Sequence, residues 1–571
     1  MHPVRFRFTR ERFARLCALI VFALCVLATA WQEPLPLQRA FVLSLMLCTA
    51  AALAFACGRI AFALLVGGGV FALLKGLSVL KLRYLDSPLM AGDFFYYARS
   101  SLLETLRHYP HLLGVSAALA IALPLLLWWA WRWDRPCRFI GGRKRSWSLR
   151  GVGVLVAALA FWLCLLPSGP FAPVHARSVW DKLSDDAQLT NFFVNMRDSD
   201  VHLPAMASVA DATRDWQASA PATAASSHAP YPDIIQVLEE STFDPSSFAA
   251  CNVPACRVSM FQPDARTRAS GVLRVHTFGG GTWVSEFAAL TGMPQDIFGP
   301  GGMYAPFALA PHVRNALAWQ LRRLGYRTVA VYPTNGSFLN GRNAYRDYGF
   351  DAFYDAQQLG LDEWEESDAQ MFAAAKRVYD QVKRPGQPVF LMVLTLNQHG
   401  PHDIDPRATL PPPYNHGVLR GLPPATALNF DTYLSRLHDS DSAMRGLEHE
   451  FLDRPQPTVL LHFGDHQPSF SGLLRDLPRT VPAPLRHERD FLTYFMLKSN
   501  VPGPPLPRYP ALDIAFLPSV LLQAAGLPTD PYFAAEASLR ARCDGRYDDC
   551  TDTALLASYH AWIFERLHVY E

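Results

Sequence analysis

The chain has 571 residues, 50% of them hydrophobic and 18% charged, with a formal net charge of +2. It is too long for one ordinary domain and too apolar, in patches, to be wholly soluble, so two unlike parts are expected. The near-balanced charge shows no nucleic-acid footprint, and its basic residues instead crowd two short stretches beside apolar segments.

Apolar stretches run from Phe13 to Trp31, Ala40 to Cys57, Ile60 to Leu80, Leu112 to Trp131 and Val152 to Pro167. Each is near the length of about 20 residues that spans a bilayer, which predicts five membrane helices. The first lacks a small-residue cleavage pattern before Trp31 and reads as an uncleaved anchor. Arg5, Arg7, Arg10, Arg12 and Arg15 precede the first span, and Arg132, Arg135, Arg138, Arg143, Lys144, Arg145 and Arg150 lie between the fourth and fifth. The positive-inside rule makes both segments cytoplasmic, so five crossings put everything after Pro167 on the outer side.

Cys17, Cys25, Cys48, Cys57 and Cys164 fall in the spans and Cys137 in the basic loop, where a small buried hydrophobe or an idle thiol is expected. Cys251 with Cys256, and Cys543 with Cys550, are close pairs on the outer side that suit local disulfides in an oxidising compartment, with the pairing left open by the sequence.

Arg177 to Asp200 mixes Trp180, Phe192 and Phe193 with charges, as a helix at the membrane interface or a plain connecting helix would. Ala207 to Pro230 has the alanine, serine, threonine and proline composition of a solvated tether. The expected division is residues 1–170 as the membrane bundle, 171–230 as juxtamembrane helix and linker, and 231–571 as an outer domain. Within the outer domain the runs Ile234–Leu238, Thr328–Tyr332, Val389–Leu396, Thr458–Phe463 and Phe491–Leu497 read as strands. Such continuous runs suit a sheet covered on both faces, so the fold class is α/β with a largely parallel sheet and helices such as Pro311–Leu324 and Asp513–Ala525.

Ligands in such sheets gather beyond the carboxyl ends of the strands, where Glu240, His399, Asp465 and His466 fall. Either Glu239 or Glu240 fits the first position. Thr282 follows three glycines and opens a helical stretch, TWVSEFAALTG, where free amides and the helix dipole would favour a phosphate. A simple N-cap threonine, with Ser285 or Glu286 closing a capping box, is the bland alternative. Two carboxylates, one imidazole and a hydroxyl suit one divalent cation, and a threonine hydroxyl brought to that cation is acidified into a nucleophile. His399 is a candidate to bind substrate phosphate or protonate a leaving oxygen, whereas His402 reads as a satisfied loop histidine. Asn340 and Arg342 are candidates for a phosphate clamp, weighed evenly against an ordinary surface arginine.

With these residues in place, the outer domain resembles the alkaline-phosphatase and sulfatase superfamily. The whole layout is similar to lipoteichoic acid synthase and the related membrane phosphoglycerol transferases. The resemblance rests on five spans followed by LEES, FGGGTWVSEF, GYRTVAVYPTNGSFLNGRNAYRDYGFDAFYD, LNQHGPH and FGDH in the family's order, and it covers most of the chain. It implies one divalent metal ion, manganese first with magnesium or zinc as alternatives, held by Glu240, Thr282, Asp465 and His466. It favours Glu240 over Glu239 because the family's acid directly precedes a serine or threonine. Thr282 would take the head-group phosphate of a phospholipid donor, release diacylglycerol and pass the phospho-group to a glycan or lipid acceptor. His399 would align with a substrate-binding histidine. The segment KLRYLDSPLMAGDFF, with Lys81, Arg83 and Asp93, also matches these transferases. The implied location is the bacterial inner membrane with the catalytic domain on the periplasmic side.

Leu339, Asn340, Gly341 and Arg342 depart from the synthases' successive tryptophan, asparagine and arginine, so head-group contacts are expected to differ. The absence of a C-x-P-x-R or S-x-P-x-R stretch removes the formylglycine route of true sulfatases. The leading expectation is phosphoglycerol transfer from phosphatidylglycerol to an envelope glycan, and phosphoethanolamine transfer is the runner-up. A non-catalytic membrane-bound binding protein is the alternative of another class. A soluble-type hydrolase lacks the G-x-S-x-G, P-loop or H-E-x-x-H stretch that would support it.

Overall fold

A computed structural model describes residues 10–85, 88–96, 110–136, 143–175, 187–196, 200–217, 231–403, 410–470, 472–503 and 506–571. Arg5, Arg7, Arg138, Cys137 and tether residues 218–230 lie outside the described residues. The chain divides into two units, Met1–Ser199 and Asp200–Glu571.

Among the described residues, five helices of the first unit are long and apolar enough to cross a membrane, over Phe13–Gln32, Pro36–Cys57, Ile60–Arg83, Leu113–Trp133 and Trp147–Cys164. In the second, Phe41, Val42, Leu45 and Met46 are fully buried. Other faces leave Ile121, Leu125, Leu126 and Leu155 exposed, which suits contact with hydrocarbon rather than water. Lys81 pairs with Asp93 at 2.9 Å, and Asp93 also accepts the Met90 amide, tying the third helix to the loop after it. The short helix Gln188–Val194 is buried throughout and stacks Phe193 on Phe71, so it joins this unit's core instead of lying at an interface.

The second unit is built on one eight-stranded sheet. Its strands are β1 (Asp233–Glu239), β2 (Thr267–Arg274), β3 (Arg327–Val331), β4 (Ala352–Tyr354), β5 (Val389–Thr395), β6 (Thr458–Gly464), β7 (Leu492–Ser499) and β8 (Leu512–Asp513). They run in the order β4-β3-β5-β1-β6-β7-β2-β8. From β4 to β6 all neighbours are parallel, and β7 is antiparallel to both β6 and β2. β1, β5 and β6 are buried along their whole length, the signature of central strands covered on both faces, and they match the continuous apolar runs.

Three expectations need correction. The helix placed over Pro311–Leu324 is a 3-10 turn at Ala310–His312 followed by Leu317–Arg323, and the one over Asp513–Ala525 starts as strand and 3-10 turn before Leu517–Ala524. The described part of the tether is not structureless: Val209–Gln217 is helical, mostly exposed, but Trp216 is fully buried, donating to Ser558 Oγ at 3.0 Å. One large aromatic outweighs the polar composition around it. Cys251–Cys256 and Cys543–Cys550 are disulfides, which fixes the pairing the sequence left open.

Beyond β2, His276 is buried with Nε2 at 3.0 Å from Asp513 and Nδ1 at 2.9 Å from Asp296 and 3.0 Å from Asp548. Burial and Arg274 push its pKa down, but the surrounding carboxylates, Asp513 foremost, carry it well above the usual histidine value. A raised histidine pKa stabilises the fold fully below about pH 6.5 and loses that contribution as pH rises through the folded value. His276→Ala is therefore expected to cost about 3 kcal/mol near pH 6, with the deficit shrinking in alkaline buffer. Denaturant unfolding of the purified protein and variant across pH measures it, and a deficit that grows with pH would contradict the assignment.

Candidate metal centre and nucleophile

The parallel trio β5-β1-β6 sets the geometry of the site. Register places Glu239 opposite both Thr395 and Gly464, so Glu240 and Asp465 leave adjacent strands side by side. A Cβ on Gly464 would stand 1.8 Å from the Thr242 carbonyl oxygen, so only glycine allows these two chain segments to approach. Ser241 then turns sharply with φ 53°, its amide donates to Asp465 Oδ1 at 2.8 Å, and its hydroxyl donates to Glu240 Oε1 at 2.5 Å.

Glu240, Asp465 and His466 present ligand atoms all within 4.8 Å of one another. His466 Nε2 lies 3.6 Å from Glu240 Oε1, 3.3 Å from Asp465 Oδ2 and 3.4 Å from Thr282 Oγ1. The four residues expected to share a pocket are thus together.

Thr282 arrives through the glycine triplet, whose φ values of 70°, 153° and 89° are open to glycine and strained for other residues. The helix Thr282–Thr291 is capped by Gly281, so the capping-box alternative is not what forms. Ser285 instead donates to the Asp465 carbonyl at 2.7 Å, and Glu286 is buried, accepting from Tyr332 at 3.4 Å. Burial pushes the Glu286 carboxyl up to about 7. These contacts pin the first turn and leave the Thr282 hydroxyl facing the imidazole.

The donor set fits a cation. His466 Nδ1 lies 3.1 Å from the Gln467 carbonyl, which assigns the ring proton to Nδ1 and leaves the Nε2 lone pair pointing at carboxylate oxygens. Asp465 Oδ2 is buried without a hydrogen-bond partner, and burial raises the Asp465 pKa. Electron-rich atoms held this closely repel unless positive charge sits among them. Two carboxylates, one imidazole and a hydroxyl suit manganese, magnesium or zinc.

The other expected residues divide. Glu239 faces away, bonds the Tyr494 hydroxyl and is pushed well above the carboxylate range by burial, so Glu240 is the acid at the centre. His399 follows β5, with Nδ1 at 2.7 Å from the Gly400 carbonyl and its ring edge-on to Trp364 at 5.3 Å. Burial pulls its pKa down to about 4, so at neutral pH it is uncharged, with Nε2 as an acceptor. A neutral ring suits accepting a hydrogen bond at Nε2. His402 packs against Tyr433 and Phe470 as a core histidine.

Asn340 and Arg342 are not brought into contact with the four. Asn340 donates to the Pro306 carbonyl at 2.7 Å and accepts from Asn343 at 2.7 Å. Arg342 pairs with Asp355, donates to the Phe353 carbonyl at 3.1 Å and lies over the Phe353 ring. These contacts hold the turn that carries both residues. Ser241 and Ser285 were missed as positioning residues. The signals were present: Ser241 adjoins the acid, and Ser285 is one helical turn beyond Thr282.

Comparison with known proteins follows the same lines. Residues 232–501 match the Sulfatase family model. An uncharacterised protein of Haemophilus influenzae is 29% identical over 88% of this chain and 89% of its own length. A protein of Rhizobium meliloti assigned provisionally to cyclic beta-1,2-glucan modification is 26% identical over 79% of this chain and 71% of its own. The phosphoglycerol transferase GacH of Streptococcus pyogenes, solved with sn-glycerol-1-phosphate, superposes with TM-score 0.51 at 16% identity, covering 64% of this chain and 95% of that one. This last likeness is one of fold.

Proposed function

We propose that this chain, whose C-terminal unit is a sulfatase-family domain with an alkaline-phosphatase-like fold, is a membrane-anchored, metal-dependent phosphotransferase. It moves phosphoglycerol from phosphatidylglycerol to an envelope glycan. The observation that carries this reading is the Thr282 hydroxyl held 3.4 Å from His466 within the Glu240, Asp465 and His466 cluster.

A divalent ion held by Glu240, Thr282, Asp465 and His466, manganese by preference, would supply the positive charge that acidifies the hydroxyl and offsets charge on the phosphoryl oxygens. Thr282 Oγ1 releases its proton to solvent and attacks phosphorus, the phosphorus–oxygen bond to diacylglycerol breaks, and the leaving alkoxide takes a proton from solvent. The resulting phospho-threonine ester is then attacked by a glycan hydroxyl, which restores the threonine. His399, neutral with Nε2 as an acceptor, binds a substrate hydroxyl by taking its hydrogen bond.

The glycan acceptor draws support from the likeness to the glucan-modification protein. Placement in the bacterial inner membrane, with this unit on the periplasmic side, draws support from the five apolar helices and from two disulfides in the second unit. Phosphoethanolamine transfer is the second reading. Trp364 stands against His399 with Glu363 and Glu365 on either side in sequence, an aromatic and acidic setting that suits an ammonium head group.

The test incubates the manganese-loaded protein with head-group-labelled phosphatidylglycerol or phosphatidylethanolamine and follows diacylglycerol. Release from phosphatidylglycerol alone is expected. Release from phosphatidylethanolamine alone selects the second reading, and none from either supports a non-catalytic binding protein.

A further inference from the structure

Arg436 sits in the middle of the helix Pro424–Leu452, and its Nη1 donates to the His399 carbonyl at 2.7 Å. The side chain is half-buried, and the two carboxylates that act on its charge are Glu240, of the proposed metal cluster, and Glu365. Among the described residues no carboxylate lies within ion-pair distance of it. By contrast, the buried Arg479 has Asp490 at 3.2 Å, and Arg342 has Asp355.

A guanidinium offers five donors in a planar fork, and one acceptor leaves most of that fork unused. Keeping such a group half out of water is unfavourable unless an acceptor anion completes it. Its place is also specific. It is anchored to the loop that carries His399, and its charge acts on His399 in turn.

We propose that Arg436 is the phosphate-binding residue of this site, its spare donors taking the non-bridging oxygens of a phosphate ester. The proposal rests on the phosphotransfer reading and deepens it. A phosphodiester lipid head group and free phosphate share the required chemistry.

The test compares Arg436→Gln and Arg436→Lys with the parent, each as the full chain in detergent and loaded with manganese. Glutamine keeps an amide donor for the His399 carbonyl while removing the charge, and lysine keeps the charge without the fork. One arm measures equilibrium binding of inorganic phosphate, and the other measures KM and kcat with phosphatidylglycerol micelles. Arg436→Gln is expected to weaken phosphate binding, or to raise KM, by about 10- to 100-fold, with bound manganese and melting temperature unchanged and partial recovery in Arg436→Lys. A change in both arms assigns the arginine to the phosphate group whatever carries it, and a change in KM alone assigns it to the lipid diester. Values within twofold of the parent in both arms overturn the proposal. So does an equal loss of melting temperature in both variants, which marks a structural arginine. If the parent releases no diacylglycerol from either lipid, the transferase reading fails while the phosphate arm still decides Arg436.

Discussion

Thr282→Ala is expected to reduce diacylglycerol release by at least about 1,000-fold while leaving the fold intact. In the proposed mechanism this hydroxyl carries phosphorus, so its removal takes away the nucleophile itself. The helix it opens is capped by Gly281 and pinned by Ser285 on the Asp465 carbonyl at 2.7 Å, and neither contact uses the Thr282 side chain. Alanine at the first helical position is well tolerated. Melting temperature should therefore stay close to the parent's, and turnover by this variant within tenfold of the parent would remove the threonine from the mechanism.

The second large effect concerns Asp465. Asp465→Asn is expected to weaken manganese binding by more than about 100-fold, measured by metal content after dialysis. In the metal-free state the same change should raise stability. Asparagine can keep its oxygen where Oδ1 accepts the Ser241 amide at 2.8 Å and the His466 amide at 2.7 Å. Its amide nitrogen then replaces Oδ2, a buried oxygen without a hydrogen-bond partner, and so removes a charge that burial disfavours. The gain should be about 1–2 kcal/mol without metal, and it should reverse once manganese stabilises the parent alone. A variant less stable than the parent under both conditions would show that Asp465 serves packing rather than a cation.

The central strands were legible because β1, β5 and β6 are buried on both faces, so their apolar runs are unbroken. β2 was not, since its sequence TRASGVLR is polar and half-exposed, and β4 and β8 are too short to show a period. The reversed direction of β7 leaves no mark in LTYFMLKS, which reads like its parallel neighbours. At the site, Glu239 and Glu240 were indistinguishable by periodicity, and what separates them is the turn at Ser241 and the distant Tyr494. Asn340 and Arg342 look like a clamp in sequence, and what sequence could not show is that Pro306 and Asp355, brought in by the fold, each accept from one of them. Arg436 was invisible for the opposite reason. Within a 29-residue helix an arginine reads as solvated surface, and only the approach of the His399 loop makes it part of the site.

One hydroxyl, activated within the Glu240, Asp465 and His466 cluster, is the claim on which the reading depends. Mass spectrometry of the Thr282 peptide after brief incubation with phosphatidylglycerol tests it most directly. The expected result is a phosphoglycerol adduct on Thr282 that appears with manganese, vanishes with chelator and decays when acceptor glycan is added. Sustained diacylglycerol release with Thr282 unmodified under trapping conditions would contradict it.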